Sequence, residues 1–396
     1  MEIGLLGKAN VGKSTFFTAA TETPVPTGNF PFTTIEPNVG VAYVKTDCAC
    51  RHFEIKHENP LCVNGTRFTP IKLIDIAGLV PDAHKGKGLG NQFLDDARQA
   101  KVLIHVVDIS GSTDIQGQPV PVGEHDPLKD IEFVVEEFDQ WFKQILEREW
   151  QKISKEIEQK TVKLVEGIAN RFSGLGIKDY EVQAVLQSTG LLTKKSSEWD
   201  EKDLSTFVKE LRKNTKPILI AANKADLCKN LEIINKIHNE KVILCSAETE
   251  LLLRKASKSS LIDYVPGNDT FSIKENVKMS DQQKRALDVV KTVLSKIKTT
   301  GIQSSLNSAV FDVLNSIVVY PVEDDSKFCN RDGVIFPDAK LLTAGATAKD
   351  LAETIHADIA KGFLHAIDCK TKQRIGADHK LKNGDVIKIV STMSRG

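Results

Sequence analysis

Short runs of apolar residues, each flanked by polar or turn-forming residues, recur along the amino-terminal part of the chain. Runs as short and as uniformly apolar as these are typical of parallel strands that are buried on both faces. Residues 38–44 alternate instead, with Val39, Val41 and Tyr43 on one face, which predicts a half-buried strand at a sheet edge. The pattern therefore predicts a mixed α/β sheet, whose buried strands cover residues 3–6, 71–74, 102–107, 218–222 and 242–244.

A long segment of different texture separates the third and fourth buried runs. From Asp139 to Phe172, apolar residues spaced by threes, fours and sevens lie among Lys, Glu and Gln, which predicts an amphipathic, coiled-coil-like helix. A second helix around residues 200–213 is expected to run back antiparallel to it. We interpret the charges of both helices as a solvated surface rather than a stripe for nucleic acid. A helical coiled-coil hairpin is therefore expected at residues 131–213.

The hairpin interrupts one sheet domain, which the apolar runs assign to residues 1–130 and 214–300. Ser280 is expected to cap a basic helix that links this domain to the next. Beyond Asn315 the pattern predicts short strands and one helix, so residues 314–396 are expected to form a small α+β module.

Composition restricts the class of protein without naming a function. The chain has 396 residues, 41% of them hydrophobic, and 53 basic residues balance 53 acidic ones. This excludes a disordered chain, and the zero net charge gives no overall attraction to nucleic acid, so we expect no DNA partner. The longest apolar runs are too short to span a membrane, and the amino terminus lacks a leader pattern, so no membrane partner and a cytoplasmic location are expected.

Residues 7–14, Gly-Lys-Ala-Asn-Val-Gly-Lys-Ser, match the phosphate-loop pattern G-x-x-x-x-G-K-[ST] directly after a predicted strand. The backbone N–H groups of Gly12, Lys13 and Ser14 are expected to cradle a polyphosphate, with Val11 and Thr15 as flanking contacts. The Lys13 ammonium would neutralise the β- and γ-phosphates, and the Ser14 hydroxyl would bind Mg²⁺. The loop therefore predicts a nucleotide-binding site.

A second motif, Asp75-Ile76-Ala77-Gly78, follows the next predicted strand. Asp75 is placed to hold Mg²⁺ through water, and the Gly78 N–H is placed to sense the γ-phosphate. Both residues would lie at the edge of the sheet where open α/β sheets bind their ligands.

Two later motifs indicate which base is bound. Asn223-Lys224-Ala225-Asp226 ends one predicted strand, and its Asp226 carboxylate would accept hydrogen bonds from guanine N1–H and the exocyclic amine. The Lys224 stem would lie along the base, and the Ala247 N–H, beside Ser246, would donate to guanine O6. Taken singly, these residues fit a helix cap or an ordinary loop equally well. Four motifs in order on successive strand ends favour a guanine-nucleotide site.

Asn10, Pro31-Phe32-Thr33-Thr34, residues 75–79 and the glycine-rich residues 86–90 closely resemble the Obg–YchF family, and the resemblance spans the chain. It implies a Ras-like P-loop GTPase sheet, a helical hairpin inserted into it, and a C-terminal TGS module of ubiquitin-like β-grasp fold. It also implies that Thr33 or Thr34 gives the second Mg²⁺ ligand. Many YchF members read the base with Asn-x-x-Glu and prefer ATP, whereas this chain keeps Asp226 and resembles a GTP-reading branch.

The residue that would activate water is not evident. Ras-like enzymes use a Gln just after the Asp-x-x-Gly motif, and Leu79 stands there, so slow intrinsic hydrolysis is expected. His84 of the second switch is the catalytic candidate, against the simpler interpretation as an idle surface histidine. Asn10 is expected either to coordinate K⁺ or to stabilise the turn.

Two further clusters are weak signals. Cys48, Cys50, His57 and Cys62 could offer four zinc ligands, but the C-x-C spacing is poor, so unliganded loop thiols are favoured. Five basic residues between Lys370 and Lys382 would suit RNA, but they lack interleaved aromatic residues and fit a solvated hairpin as well.

Together these features predict a Mg²⁺-dependent GTPase that binds GTP and GDP and switches on the γ-phosphate. The resemblance implies the ribosome or RNA as partner. The alternatives are an ATPase of the same fold and a nucleotide-occupied RNA or protein adaptor that scarcely hydrolyses.

Overall fold

The computed structural model describes residues 1–21, 39–76, 97–238 and 240–393, and a seven-stranded sheet forms its centre. The strand order is β2-β4-β1-β5-β6-β7, with β3 paired to β4 outside this path. β1, β4, β5, β6 and β7 run parallel, while β2 pairs antiparallel with β4 at the edge. The predicted mixed sheet and its edge strand are confirmed. The strands are β1 (Glu2–Leu6), β2 (Val39–Asp47), β3 (Cys62–Val63), β4 (Thr66–Asp75), β5 (Val102–Asp108), β6 (Ile218–Asn223) and β7 (Lys241–Leu244).

Two helices have both ends within the described residues that precede the long inserted segment. α1 (Lys13–Thr21) follows the phosphate loop and packs against the sheet through Phe16, in a core shared with Ile3 and Leu5. α2 (Ala49–Phe53) is a short helix between β2 and β3.

The inserted segment differs from the expected two-helix hairpin. It forms five helices, because the chain breaks near Glu149, at Lys160, which takes a left-handed φ of 57°, and again after Phe172 and after Ser188. Aromatic side chains then join the pieces into one core, as between Phe142 and Phe172 at 5.5 Å. That core also includes Leu103 of the sheet, so the inserted helices and the sheet share one hydrophobic core. The helices are α3 (Pro127–Glu147), α4 (Trp150–Glu158), α5 (Leu164–Phe172), α6 (Asp179–Ser188) and α7 (Glu201–Thr215).

In the described residues after β7, three more α-helices, a π-helical segment (Ser308–Val313) and a small hairpin complete this part of the molecule. Ser280 caps its helix as expected, through a reciprocal pair of bonds with Gln283. That helix packs against Leu253 and Tyr264, so it belongs to the sheet domain and is not a linker. The elements are α8 (Ala247–Lys258), β8 (Ile262–Asp263), β9 (Ser272–Ile273), α9 (Asp281–Ile297) and α10 (Ile302–Asn307).

The carboxyl-terminal module is a five-stranded sheet in the order β11-β10-β14-β12-β13. Its first and last strands are parallel neighbours in the centre, with helices packed on one face, which is the β-grasp arrangement that the resemblance implied. The elements are β10 (Ser316–Val322), β11 (Lys340–Thr343), α11 (Ala348–Ile355), α12 (Ala357–Lys361), β12 (Phe363–Asp368), β13 (Gln373–Ile375) and β14 (Val386–Ser391). Within the described ranges, no helix has the length and apolar character needed to cross a bilayer.

Candidate nucleotide-binding site

The phosphate loop turns sharply between β1 and α1, and two glycines permit the turn. Gly7 has a φ of 154°, and a Cβ on it would lie 2.6 Å from the Val106 carbonyl oxygen. Gly12 has a φ of 90°. The turn ends at the first turn of α1, whose leading N–H groups have no partner within a helix. Amides so placed fit a polyphosphate. Val11 is buried beneath the loop, Ser14 is exposed, and Thr15 lies one residue further along α1.

The Lys13 ammonium contacts the Asp75 carboxylate. Asp75 ends β4 and lies beside Leu5 of β1, so the two motifs meet at the carboxyl edge of the sheet as predicted. A serine hydroxyl and a carboxylate are the hard oxygen donors that Mg²⁺ prefers, so Ser14 and Asp75 fit that ion. The other predicted residues of this part of the site, Thr33, Thr34, Gly78, Leu79 and His84, lie outside the described residues.

Asn223 links the phosphate loop to the loop after β7. Its Nδ2 donates to the Val11 carbonyl oxygen at 2.9 Å, and its Oδ1 accepts from the Ala247 backbone N–H at 2.9 Å. The residue is 3% exposed. Buried amides with both ends bonded hold their neighbours rigidly, so the first motif and the last two are fixed relative to one another.

Lys224 is held by a carboxylate that the sequence did not single out. Its Nζ lies 2.9 Å from Asp108 Oδ2, at the end of β5, and Ser110 and Ser112 also donate to Asp108. Burial acts to raise the pKa of Asp108, but hydrogen bonds from Ser110, Lys224 and Ser112 together outweigh it and hold that pKa below its usual range. The ammonium is thus anchored, and the stem of Lys224 is free to lie along a base.

Asp226 follows at the rim of the same loop, partly buried, and within the described ranges its carboxylate forms no hydrogen bond or ion pair. The loop itself is held from behind by Lys296 of α9, whose Nζ donates to the carbonyl oxygens of Ala225 at 3.1 Å and Cys228 at 2.8 Å. Sequence reasoning missed this positioning residue, because it lies seventy positions away in an ordinary amphipathic helix.

Ser246 and Ala247 are placed differently from the expectation. The Ala247 N–H that was predicted to donate to guanine O6 donates to Asn223 instead, and Ala247 is buried. The Ser246 hydroxyl is bonded to Thr249 at 2.7 Å and is also buried. Contact between Ala247 and O6 would therefore require this amide to be shared between two acceptors.

Asn10 has a φ of 62°, and its Nδ2 donates to the Gly117 carbonyl oxygen at 2.8 Å. The loop after β5 therefore crosses the phosphate loop, and the Asn10 amide joins the two. The bond therefore runs to a neighbouring loop and not within the turn itself, and Oδ1 accepts no hydrogen bond from the described residues.

A buried charge network behind the phosphate loop was not predicted. Lys8 Nζ lies 2.7 Å from Asp130 Oδ2 and 3.0 Å from the Thr113 carbonyl oxygen, while His125 Nε2 lies 2.9 Å from Asp130 Oδ1. Both partners of the first pair are almost fully buried. Since Asp130 belongs to the first turn of α3, this network ties the phosphate loop to the helical layer. A lysine at the second position of the loop was the only sequence signal.

The fold and the site define a P-loop nucleotide-binding protein that carries the base-reading motif of GTPases. Family models agree along the chain. One described as 50S ribosome-binding GTPase matches residues 2–138, one described as the G4 motif-containing domain of Obg-like GTPase YGR210-like matches residues 221–324, and a TGS domain model matches residues 333–391.

Whole-chain relatives narrow the class. The chain is 44% identical over 395 residues to an uncharacterized GTP-binding protein of Methanocaldococcus jannaschii, covering 98% of each. It is 27% identical over 406 residues to the ribosome-binding ATPase YchF of Buchnera aphidicola, covering 97% of each. A solved GTP-binding protein of Pyrococcus horikoshii is 38% identical and superimposes with a TM-score of 0.78, covering 99% of this chain and all of that one. The chain therefore belongs to the Obg–YchF family of GTP-binding proteins.

Proposed function

We propose that this protein is a Mg²⁺-dependent molecular switch that binds and hydrolyses GTP. The observation that carries the proposal is the Asn223 bridge, which holds the phosphate loop and the base-reading loop in one rigid frame. The phosphate loop contacts the phosphates and the loop of residues 223–226 contacts the base. Because the two loops are fixed relative to one another, the site can recognise both the phosphates and the base of one nucleotide.

At the phosphate end, the amides of residues 12–14 bind the polyphosphate and the Lys13 ammonium neutralises it. Mg²⁺, when bound, neutralises the β- and γ-phosphates further. Ser14, Asp75 and either Thr33 or Thr34 would hold this ion, and the Gly78 N–H would sense the γ-phosphate. Phosphate binding then draws Lys13 away from the Asp75 carboxylate that it contacts here.

At the base end, the partly buried Asp226 carboxylate accepts from the two donors on guanine, which adenine lacks. Lys224, anchored on Asp108, lays its stem along the base. These residues favour GTP over ATP, although the Buchnera relative is named an ATPase.

Hydrolysis is expected to be slow because Leu79 replaces the water-positioning Gln. His84 is the proposed catalytic residue of the second switch. Asn10 Oδ1 is proposed to bind K⁺, so hydrolysis should be faster in KCl than in NaCl. Equal hydrolysis rates in the two salts would contradict a role for K⁺.

The ribosome or its RNA is the proposed partner, and the cytoplasm the proposed location, on the strength of the family description and of the Buchnera relative's name. The basic cluster of the carboxyl-terminal module adds little support. Lys370 lies 3.6 Å from Asp385, and Lys372 lies over the Phe328 ring at 5.1 Å, so part of the cluster is used internally.

Phosphate release and ribosome co-sedimentation test the proposal together. Wild-type protein should release phosphate from GTP, Lys13→Ala should not, and Lys258→Ala, an exposed lysine in α8, should match the wild type. Binding to ribosomes should differ between a non-hydrolysable GTP analogue and GDP. Unchanged GTP hydrolysis by the Lys13→Ala variant would contradict the proposal that this site hydrolyses GTP. Equal ribosome binding with the GTP analogue and with GDP would contradict the switch and favour the alternative of a nucleotide-occupied adaptor.

A further inference from the structure

Three cysteines and a histidine meet in the short excursion between β2 and β4. Cys48 precedes α2, Cys50 lies within it, His57 follows in the next loop, and Cys62 lies in β3. One ligand atom from each of the four residues lies within 4.8 Å of all the others. This is a separate place from the nucleotide site, at the opposite end of β2 and β4 from Asp75.

Two distances between ligand atoms match a tetrahedral metal site. Zinc bonds of about 2.3 Å to sulfur and about 2.0 Å to nitrogen place two sulfurs about 3.8 Å apart and a sulfur about 3.5 Å from a nitrogen. Here Cys50 Sγ and Cys62 Sγ are 3.8 Å apart, and Cys48 Sγ and His57 Nε2 are 3.6 Å apart. A disulfide needs a sulfur separation of about 2.05 Å, so the thiols are not paired covalently.

The backbone holds these ligands in place through a tight turn and a helix packed against it. Cys62 lies in a hairpin whose turn is formed by Asn64 and Gly65, with φ of 50° and 74°. Arg51 of α2 lies over that turn, since a Cβ on Gly65 would meet its Nε at 2.5 Å, and its Nη2 donates to the Asn64 carbonyl oxygen. The C-x-C segment and the hairpin are thereby fixed against one another, which brings in the distant Cys62 that the spacing alone could not place.

A buried cation beside the cluster points to a negatively charged centre. Arg67 is the cross-strand neighbour of Cys62 and is only 1% exposed. It donates to the carbonyl oxygens of Phe336 and Pro337, its Nε has no partner, and no carboxylate in the described part of the chain is ion-paired with it. A buried charge with no ion-paired partner is costly, and the Asp338 carboxylate acts on Arg67 only from beyond ion-pair distance. Three thiolates and one imidazole around a divalent ion carry a net charge of about −1, which would compensate the guanidinium.

The cluster also forms the floor on which the carboxyl-terminal module rests. Asn59 Nδ2 donates to the Phe336 carbonyl oxygen at 2.8 Å, and the His57 and Phe336 rings are 5.7 Å apart. Phe53 of α2 packs on Phe328 with ring centroids 4.2 Å apart. Residues 48–62 and the β-grasp module thus share one hydrophobic core.

We propose that Cys48, Cys50 and Cys62 through Sγ and His57 through Nε2 bind one Zn²⁺, which fixes the surface on which the carboxyl-terminal module docks. Four protein ligands close the site, so the ion is structural. Soft thiolates and an imidazole select zinc over Mg²⁺, so the ion is distinct from the one expected at the nucleotide. Ligation through Nε2 leaves the ring proton on Nδ1, and the long 3.3 Å contact from the Asn59 amide to Nδ1 opens as the ion binds.

Metal content tests the site directly. Full-length protein, desalted in buffer passed over chelating resin, should carry about one zinc ion per chain by elemental mass spectrometry. Cys62→Ser should lose the zinc, whereas Cys369→Ser, a buried cysteine of the same core that lies outside the cluster, should keep it. Less than about a tenth of an ion in the wild type, or equal loss in both variants, would overturn the proposal.

A second measurement needs no variant. Wild-type protein stripped of metal under reducing conditions and titrated with Co²⁺ should show the sulfur-to-cobalt charge-transfer and intense visible bands of a tetrahedral thiolate site. Weak octahedral bands would contradict the ligand set. Stripping should also accelerate hydrogen exchange in β10 and at the Phe336 amide while leaving β5 unchanged, and equal exchange in β10 with and without zinc would refute the docking role.

Discussion

Gly12 and Asn223 approach so closely that no side chain fits between them: a Cβ on Gly12 would lie 2.4 Å from Asn223 Nδ2. The phosphate loop and the base-reading loop are therefore interlocked, although 211 positions separate these two residues. The shape of one loop depends on the side chain of the other, so a substitution in either loop should weaken binding of both the phosphates and the base.

Gly12→Ala should abolish nucleotide binding. The added methyl would push Asn223 off the Val11 carbonyl, and alanine at a φ of 90° adds backbone strain of about 1–2 kcal/mol. Loss of affinity for GDP by at least about 100-fold is expected by calorimetry, since two buried hydrogen bonds depend on the position of Asn223. Gly174→Ala, where a Cβ meets nothing within 4 Å, should bind as the wild type does. Normal affinity in Gly12→Ala would show that the interlock is unimportant.

The Asp226→Asn variant should change the base preference of the site from guanine to xanthine. An amide oxygen and an amide N–H face the base in place of two acceptors, which suits the N1–H donor and the C2 carbonyl of xanthine but leaves one donor of guanine unpaired. Affinity for GTP should fall by about 2–4 kcal/mol while affinity for xanthosine triphosphate rises. Competition binding with the two nucleotides measures the change. Asp269→Asn, at an exposed carboxylate, is the matched control. Unchanged preference for guanine would mean that Asp226 does not touch the base.

Lys8 and Asp130 should be strongly coupled in stability. Each is buried, so Lys8→Met or Asp130→Asn strands the other charge and should cost about 3–5 kcal/mol. Removing both should cost less than the sum of the single changes, as urea unfolding of the four proteins would measure. The exposed pair Lys291 and Asp288, treated in the same way, should show little coupling. Additive losses for Lys8 and Asp130 would mean that the network does not join the phosphate loop to α3.

Acid should destabilise the protein through His105. Burial, with a smaller contribution from Lys8, lowers the pKa of this β5 histidine to about 3. The unfolded chain therefore takes up a proton below a pH of about 6.5 that the folded chain refuses, and stability falls as the pH drops from there towards 3, by up to about 1.4 kcal/mol per unit.

Comparing urea unfolding at several pH values between these limits isolates the residue. His105→Leu should flatten the dependence relative to the wild type, whereas His52→Leu, at an exposed histidine, should leave it unchanged. Parallel curves for the wild type and His105→Leu would show that His105 already titrates normally.

The sequence predicted what depends on local pattern. The strands were found because buried parallel strands are uniformly apolar, and the Ser280 cap was found because its donors and acceptors lie three residues apart. The helix predicted from Asp139 to Phe172 was broken in the structure, because the apolar spacing reports which face is buried and not where the chain turns. The packing of Phe142 on Phe172 stabilises those turns. The two residues are too far apart in sequence for a helical repeat to predict the contact.

The sequence predicted the motifs of the site but not the side-chain contacts that hold those motifs in place. Asp108 holds Lys224, and Lys296 holds the loop around Asp226, across separations of 116 and about 70 positions that carry no periodic signal. The same limit applies to Cys62, which has no second cysteine close to it in the sequence. The hairpin of β3 and β4 brings its sulfur next to that of Cys50.

Calorimetric titration of the nucleotide-free wild-type protein with GTP and with ATP, each with Mg²⁺ and K⁺, measures whether the site selects guanine. Tight binding of GTP and little response to ATP are expected, because the Asn223 bridge holds the Asp226 carboxylate where it faces donors that guanine has and adenine lacks. Equal or tighter binding of ATP would contradict this expectation, and the protein would then be an ATPase of the same fold.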